Sequence, residues 1–176
     1  HINDEINYLS IKSEGLTYDE FIKDEILKRA VLKMNIKEEH SIAAIVFYEE
    51  DDEYLLLKYG LGHWEYVKGH QDEGETDKDT IFRELQEETG ITDAKLIIGY
   101  KENYEYSFNF RGQRIHKTVT CYLIQSPTKH VKISYEHDDF IWLPYPKALK
   151  RLTHDNAKRL LTKANKFRKS PLARFL

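Results

Sequence analysis

Residues 69–91 read Gly-His-Gln-Asp-Glu-Gly-Glu-Thr-Asp-Lys-Asp-Thr-Ile-Phe-Arg-Glu-Leu-Gln-Glu-Glu-Thr-Gly-Ile, and no other stretch restricts the fold so tightly. Thr76 has the chemistry of a helix N-cap, with Asp79 three residues on. Gly90 followed by Ile91 has the form of a glycine stop with a hydrophobic contact behind it. The spacing therefore predicts a helix over 76–89. On that helix Ile81 and Leu85, at i and i+4, form a buried side. Glu84, Glu87 and Glu88, at i, i+3 and i+4, gather three carboxylates on another face. Like charges so close repel, a small cost to the helix, but several oxygens converging from a rigid element are what a hard divalent cation requires. Arg83 precedes this cluster and Glu75 lies before the helix start, so a salt bridge between them would lock loop to helix.

The surrounding pattern supplies a sheet. Residues 42–48 are almost continuously apolar, as in a strand covered on both faces, and 54–58 form a second strand after a polar turn. A short strand is expected at 64–67 and another at 95–100. Tyr104, Tyr106, Phe108 and Phe110 then alternate with polar residues in a period-two aromatic stripe. Arg111-Gly112-Gln113 reads as a hairpin turn. Residues 117–124, 131–134 and 140–143 complete the strand candidates, and 148–152 and 157–167 read as closing helices.

With 176 residues the chain suits one main domain, expected at 41–168, preceded by a helical extension over 1–40 and followed by a basic tail, 169–176. In the extension Thr17 and Glu20 have capping-box spacing, and Phe21, Leu27, Ala30, Val31 and Met34 follow a helical period. It reads either as a hairpin packed on the main domain or as an arm that binds a protein partner. Hydrophobic residues at 40% and charged residues at 32% fit a chain that folds in water. No apolar run approaches the about 20 residues that span a bilayer, and residues 1–5 lack the apolar stretch of a signal peptide, so no membrane partner and a cytoplasmic location are expected. A single cysteine, Cys121, excludes an internal disulfide framework and a cysteine-rich zinc site. The net charge of −3 argues against indiscriminate binding to nucleic acid, although residues 158–174 are basic.

At every fixed position, Gly69, Glu75, Arg83, Glu84, Leu85, Glu87, Glu88, Gly90 and Ile91, the segment resembles the Nudix box. The resemblance implies a Nudix fold, an α/β/α sandwich around a mixed β-sheet, and hydrolysis of a phosphoanhydride in a nucleoside diphosphate linked to another group. It implies Mg²⁺, with Mn²⁺ as a substitute, held by Glu84, Glu87, Glu88 and Gly69. Glu84 or Glu88 would be the base that deprotonates water, beside Arg83. Glu75 and Gly90 would be structural. In some branches a later acidic residue is the base or an extra ligand. Glu136 is that candidate here, or else a surface turn residue.

Residues 63–70, His-Trp-Glu-Tyr-Val-Lys-Gly-His, resemble the tryptophan to Pro-Lys-Gly-His stretch of diadenosine tetraphosphate hydrolases of the animal and archaeal type, with Val67 in place of the proline. Lys117-Thr118-Val119, the run from Ser134 through Glu136-His137 to Trp142-Leu143, and Leu152-Thr153 extend that resemblance over 41–167. It implies that Trp64, Lys68, His70 and Lys117 line the substrate site, the cations offsetting polyphosphate charge. Tyr106 would stack on adenine or else belong to the sheet core. Two further readings stand beside this one. A pyrophosphohydrolase could act on an RNA 5′ end tracked by the basic tail, or a nucleotide sensor could act through residues 1–40.

Overall fold

A computed structural model describes residues 36–170 together with Glu20, Lys23 and Asp24. Glu20, Lys23 and Asp24 are helical; the rest of the helices expected within 1–35 and the tail beyond Ser170 lie outside the described residues. Seven strands, β1 (Ile36–Tyr48), β2 (Glu53–Tyr59), β3 (Trp64–Glu65), β4 (Val67–His70), β5 (Lys95–Phe110), β6 (Gln113–Gln125) and β7 (His137–Pro144), form one sheet. Among the described residues the helices that accompany it are α1 (Asp77–Thr89), α2 (Tyr145–Arg151) and α3 (Asp155–Arg168). Residues 38–106 and 117–170 belong to one compact unit, and the tip of the β5–β6 hairpin, 107–116, belongs to another.

The path of the sheet is β3-β2-β1-β6-β5, with β4 also paired to β1 and β7 to β2. β1 runs antiparallel to both β2 and β4, in registers that place Phe47 opposite Tyr54 and Ile42 opposite Gly69. β1 and β6 advance together, since His40 Nε2 meets Thr120 Oγ1 and Ser126 N–H donates to the Phe47 carbonyl, so the sheet is mixed. The continuous apolar run in β1 follows from its central place, where both faces are covered. Ala43, Ile45 and Phe47 join one core with Leu160, Leu161 and Ala164 of α3. Ile42, Ala44 and Val46 join a second with Ile81 and Leu85 of α1. Alternation along one strand thus sends side chains into both cores, and the sheet lies between α1 on one face and α2–α3 on the other.

Three expectations differ from the structure. β1 starts at Ile36, ahead of the expected 42 and inside the stretch read as helical. β5 is one long strand rather than two. Residues 131–134 are not a strand, because Lys132 N–H donates to the Thr89 carbonyl and Ser134 N–H to that of Glu88. Those donors are spent on the carbonyls left free at the end of α1, and they hold the segment against the acidic helix.

Candidate active site

The predicted caps set the ends of α1. Thr76 and Asp79 form a reciprocal capping box, and Gly90, at φ 69°, donates its N–H to the Gln86 carbonyl from the left-handed region that glycine tolerates. Burial of Ile81 and Leu85, worth about 1.5–3 kcal/mol each, fixes the rotation of the helix. That rotation turns Glu84, Glu87 and Glu88 into a cleft of about 610 Å³ lined by Lys68, Gly69 and His70 of β4, by Arg83, and by Ser134, Tyr135 and Glu136 of the loop before β7.

Arg83 organises one wall. Its Nε and Nη2 donate to the two carboxyl oxygens of Glu75 at 2.6 and 2.9 Å, a bidentate pair. Nη1 reaches Glu84 at 2.7 Å and Glu87 at 3.1 Å, and Nη2 also donates to the His70 carbonyl at 3.0 Å. Hydrogen bonds from Arg83 pull the Glu75 carboxyl down from the ordinary 4.5 to about 2, helped by the Asp72 N–H, and the same pairing raises the Arg83 guanidinium. The expected lock between loop and helix is present. Gly69 has an equally local reason: a Cβ there would overlap the Glu84 carboxylate, so only glycine lets the helix carboxylate lie against β4.

Glu88 is the most enclosed carboxylate of the cluster, with its side chain 6% exposed. It accepts the Lys68 backbone N–H at 3.3 Å. Burial, with repulsion from Glu84 and Glu136, pushes it up to about 8, and burial likewise raises Glu84. His137, which the sequence marks only by its place after Glu136, stands with Nε2 3.8 Å from Glu88 Oε2. That nitrogen is buried and has no hydrogen-bond partner among the described residues. Desolvation lowers the His137 imidazole, favouring its neutral form. Its ring meets Tyr59 edge-on at 4.5 Å, and Tyr59 in turn stacks on His63 at 4.8 Å. No periodicity or motif pointed to Tyr59, because its role depends on a pairing across the sheet.

The acidic wall is not a finished metal cage. Among the described residues no three His, Cys, Asp or Glu side chains converge as a ready-made coordination cluster, and Arg83 holds two of the carboxylates. The donor set nevertheless fits a small hard cation. Such an ion keeps several waters and takes one or two carboxylates plus substrate phosphates rather than an all-protein shell. Burial raises both the Glu88 and the Glu84 carboxyls, and the three glutamates and Glu136 face one cleft.

Of the remaining expected residues, His70 lines this cleft, and its Nε2 lies 3.2 Å from Glu39 Oε2 and 3.1 Å from Lys117 Nζ. Lys117 is buried on β6 and is not among the residues lining the cleft. Glu136 lines it, exposed, on a turn where its N–H points to Ser134 Oγ. Tyr106 lies elsewhere, in a second cleft of about 430 Å³ with His63, Glu65, Lys68, Tyr104, His154, Asp155 and Asn156. Its ring stacks on Tyr104 at 5.9 Å, nearly parallel. Lys68 lines both clefts. Trp64 lines neither: it packs against the core, exchanges hydrogen bonds with Thr153 and carries the Arg151 guanidinium over its ring at 5.2 Å.

Three described cations of the basic C-terminal stretch are engaged within the protein. Lys163 pairs with Glu102, Lys169 with Asp52, and Arg168 with Glu49 and Asp52 while lying 3.9 Å over the Phe47 ring. No described helix is long and apolar enough to cross a membrane.

A sheet between two helical layers, with a glutamate helix facing a glycine strand, defines the Nudix class, and residues 38–164 match the NUDIX domain model: the chain belongs to the Nudix family of hydrolases, enzymes acting on phosphoanhydrides. Among its relatives, the asymmetrical bis(5′-nucleosyl)-tetraphosphatase of Rattus norvegicus is 34% identical over 119 residues, covering 65% of this chain and 80% of the relative. The solved binary complex of a C. elegans Ap4A hydrolase superposes with a TM-score of 0.62 at 24% identity, covering 73% of this chain and 96% of that one. An RNA pyrophosphohydrolase of Vibrio vulnificus is 30% identical over 120 residues, covering 60% of this chain and 70% of the relative. Members of the family generally use divalent metal ions.

Proposed function

We propose that this chain hydrolyses dinucleoside polyphosphates, diadenosine tetraphosphate foremost, to ATP and AMP in the presence of Mg²⁺ or Mn²⁺. The observation that carries the reading is the pair of clefts joined at Lys68, one lined by carboxylates and the other by tyrosines. A substrate that is a nucleoside at one end and a charged chain beyond it needs both. The tetraphosphatase name of the rat relative points the same way.

In this reading Glu84, Glu87, Glu88 and Gly69 hold the metal. When bound, it neutralises phosphate oxygens and lowers the pKa of the attacking water. The chain's own groups do the rest. Arg83, pinned by Glu75, spreads its positive charge over Glu84 and Glu87 and keeps both carboxylates aimed into the cleft. Among the described residues no arginine or lysine side chain pairs with Glu88, so it is the stronger proton acceptor of the two base candidates and takes the proton of the attacking water. Glu136, across the cleft, is positioned to bind a water or a second cation. Lys68 and His70 offset phosphate charge, Lys117 supports His70 from β6, and Tyr106 stacks on adenine with Tyr104 beneath it. The catalytic unit lies within the described residues from β1 to α3, Ile36 to Arg168.

The test is a comparison of catalytic efficiencies with Mg²⁺: ATP plus AMP from diadenosine tetraphosphate, against pyrophosphate from 5′-triphosphorylated RNA. A higher value on the dinucleotide is expected, and a higher value on RNA overturns the substrate assignment. Within the basic stretch Lys163, Arg168 and Lys169 are paired to carboxylates of the protein itself.

A further inference from the structure

The aromatic cleft contains a group that neither packing nor the hydrolytic reaction uses. Glu65, on the two-residue strand β3, is 4% exposed and lines the cleft beside Tyr104 and Tyr106. It accepts a hydrogen bond from the Tyr66 backbone N–H at 3.3 Å, and no ion pair reaches it among the described residues. A carboxyl so enclosed, with a single long hydrogen bond, loses hydration without recovering it, and a buried polar group left in that state requires an explanation. Stability does not supply one, because a poorly paired buried carboxyl costs more than an apolar residue of the same size. A ligand edge does: the second carboxyl oxygen has no hydrogen-bond partner among the described residues and belongs to the wall of a cleft that Tyr104 and Tyr106 also line.

We infer that Glu65 determines base specificity by accepting a hydrogen bond from the exocyclic amine of adenine when that base stacks on Tyr106. The inference rests on the nucleotide reading of the two clefts proposed above. Stacking is sequence-tolerant because every base has a π-face, so selection among bases must come from groups at the base edge. A carboxyl presents an acceptor oxygen whether or not it is protonated. Burial raises the Glu65 carboxyl, opposed by Lys68, by the Tyr66 N–H and by His154, and an added proton would give a donor suited to the ring nitrogen beside the amine. Lys68 lines both clefts, so a base held here places its phosphates toward the glutamate helix.

The experiment compares diadenosine tetraphosphate with its analogue built from purine riboside, in which hydrogen replaces the 6-amino group, using the full chain and Mg²⁺. Hydrogen bonds to charged groups predict a wild-type preference for the amino substrate of about ten- to a hundredfold in kcat/KM. Glu65→Ala should bring that ratio close to one through loss on the adenine substrate, whereas Glu65→Gln, which keeps an acceptor oxygen, should retain most of it. Calorimetric binding of ATP against purine riboside triphosphate reads the same preference without turnover. A wild-type ratio near one in both formats overturns the proposal whether or not any variant folds, and so does a Glu65→Ala protein that keeps the wild-type ratio. Failure to cleave diadenosine tetraphosphate while ATP is still preferred in binding would overturn the substrate assignment and leave Glu65 as the base reader.

Discussion

Glu88→Gln separates the cost of the acidic helix from its use. In the metal-free protein the Glu88 carboxyl is pushed up to about 8 from the 4.5 that it has in an unfolded chain, chiefly by burial. Between those values the folded state binds a proton that the unfolded state has released, so stability falls as pH rises through the window and levels off above it. At pH 7 the loss amounts to roughly 3 kcal/mol, from 1.36 kcal/mol per pH interval above the unfolded value. Glutamine has the same shape, can still accept the Lys68 N–H and cannot ionise. Urea unfolding in EDTA at a series of pH values should therefore give nearly equal stabilities for the two proteins near pH 4. The variant should pull ahead progressively, by about 3 kcal/mol at pH 7. Excess Mg²⁺ should narrow the gap by stabilising the wild type, while hydrolysis by the variant stays lower by orders of magnitude. Two stability curves that run parallel from pH 4 to pH 8 would refute the reasoning.

Gly69→Ala forces a methyl group into the Glu84 carboxylate, and a displacement of about 1 Å at a reacting group predicts a loss near a hundredfold in kcat with an unchanged circular dichroism spectrum. Glu75→Gln removes the bidentate partner of Arg83. Because the folded Glu75 carboxyl is depressed to about 2, its contribution is complete above 4.5 and is lost as pH falls toward 2, so the wild-type advantage in thermal melting should shrink across that window. Arg168→Ala empties the clasp over Phe47 and leaves Glu49 and Asp52 short of a cation; denaturant titration should show a loss of about 2 kcal/mol with kcat unaltered.

Where sequence and structure agree, the deciding interactions are local. Thr76, Asp79 and Gly90 act within one turn of α1, and Glu75 meets Arg83 across eight residues, so spacing alone carried the prediction. The continuous apolar run in β1 announced a strand with two covered faces, and two cores meet there. Agreement ends where long-range packing decides. Lys101, Glu102 and Asn103 interrupt the alternation that would have joined 95–100 to the aromatic stripe, yet pairing with β6 carries β5 through them. Residues 131–134 have the composition of a strand, but their N–H groups meet the end of α1 instead of a neighbouring strand. Trp64 looked like a ligand contact because of its motif, and its place against Arg151 and Thr153 arises from α2 and the turn after it. The burial of Glu65 and the seat of His137 depend on elements far apart in sequence, which no window of residues can register.

The two clefts draw on almost separate sets of elements. The acidic one takes its walls from α1, β4 and the loop before β7, the aromatic one from β3, β5 and the start of α3, and Lys68 alone is common to both. If the clefts divide the work as proposed, a lineage carrying this scaffold can exchange residues along β5 or at positions 154–156 and acquire a different appetite for bases while the acidic wall stays as it was. Position 68 is shared, since its side chain borders both clefts. On that division drift at position 68 would touch turnover and selectivity together, so a laboratory search for new substrates should vary the rest of the second cleft first.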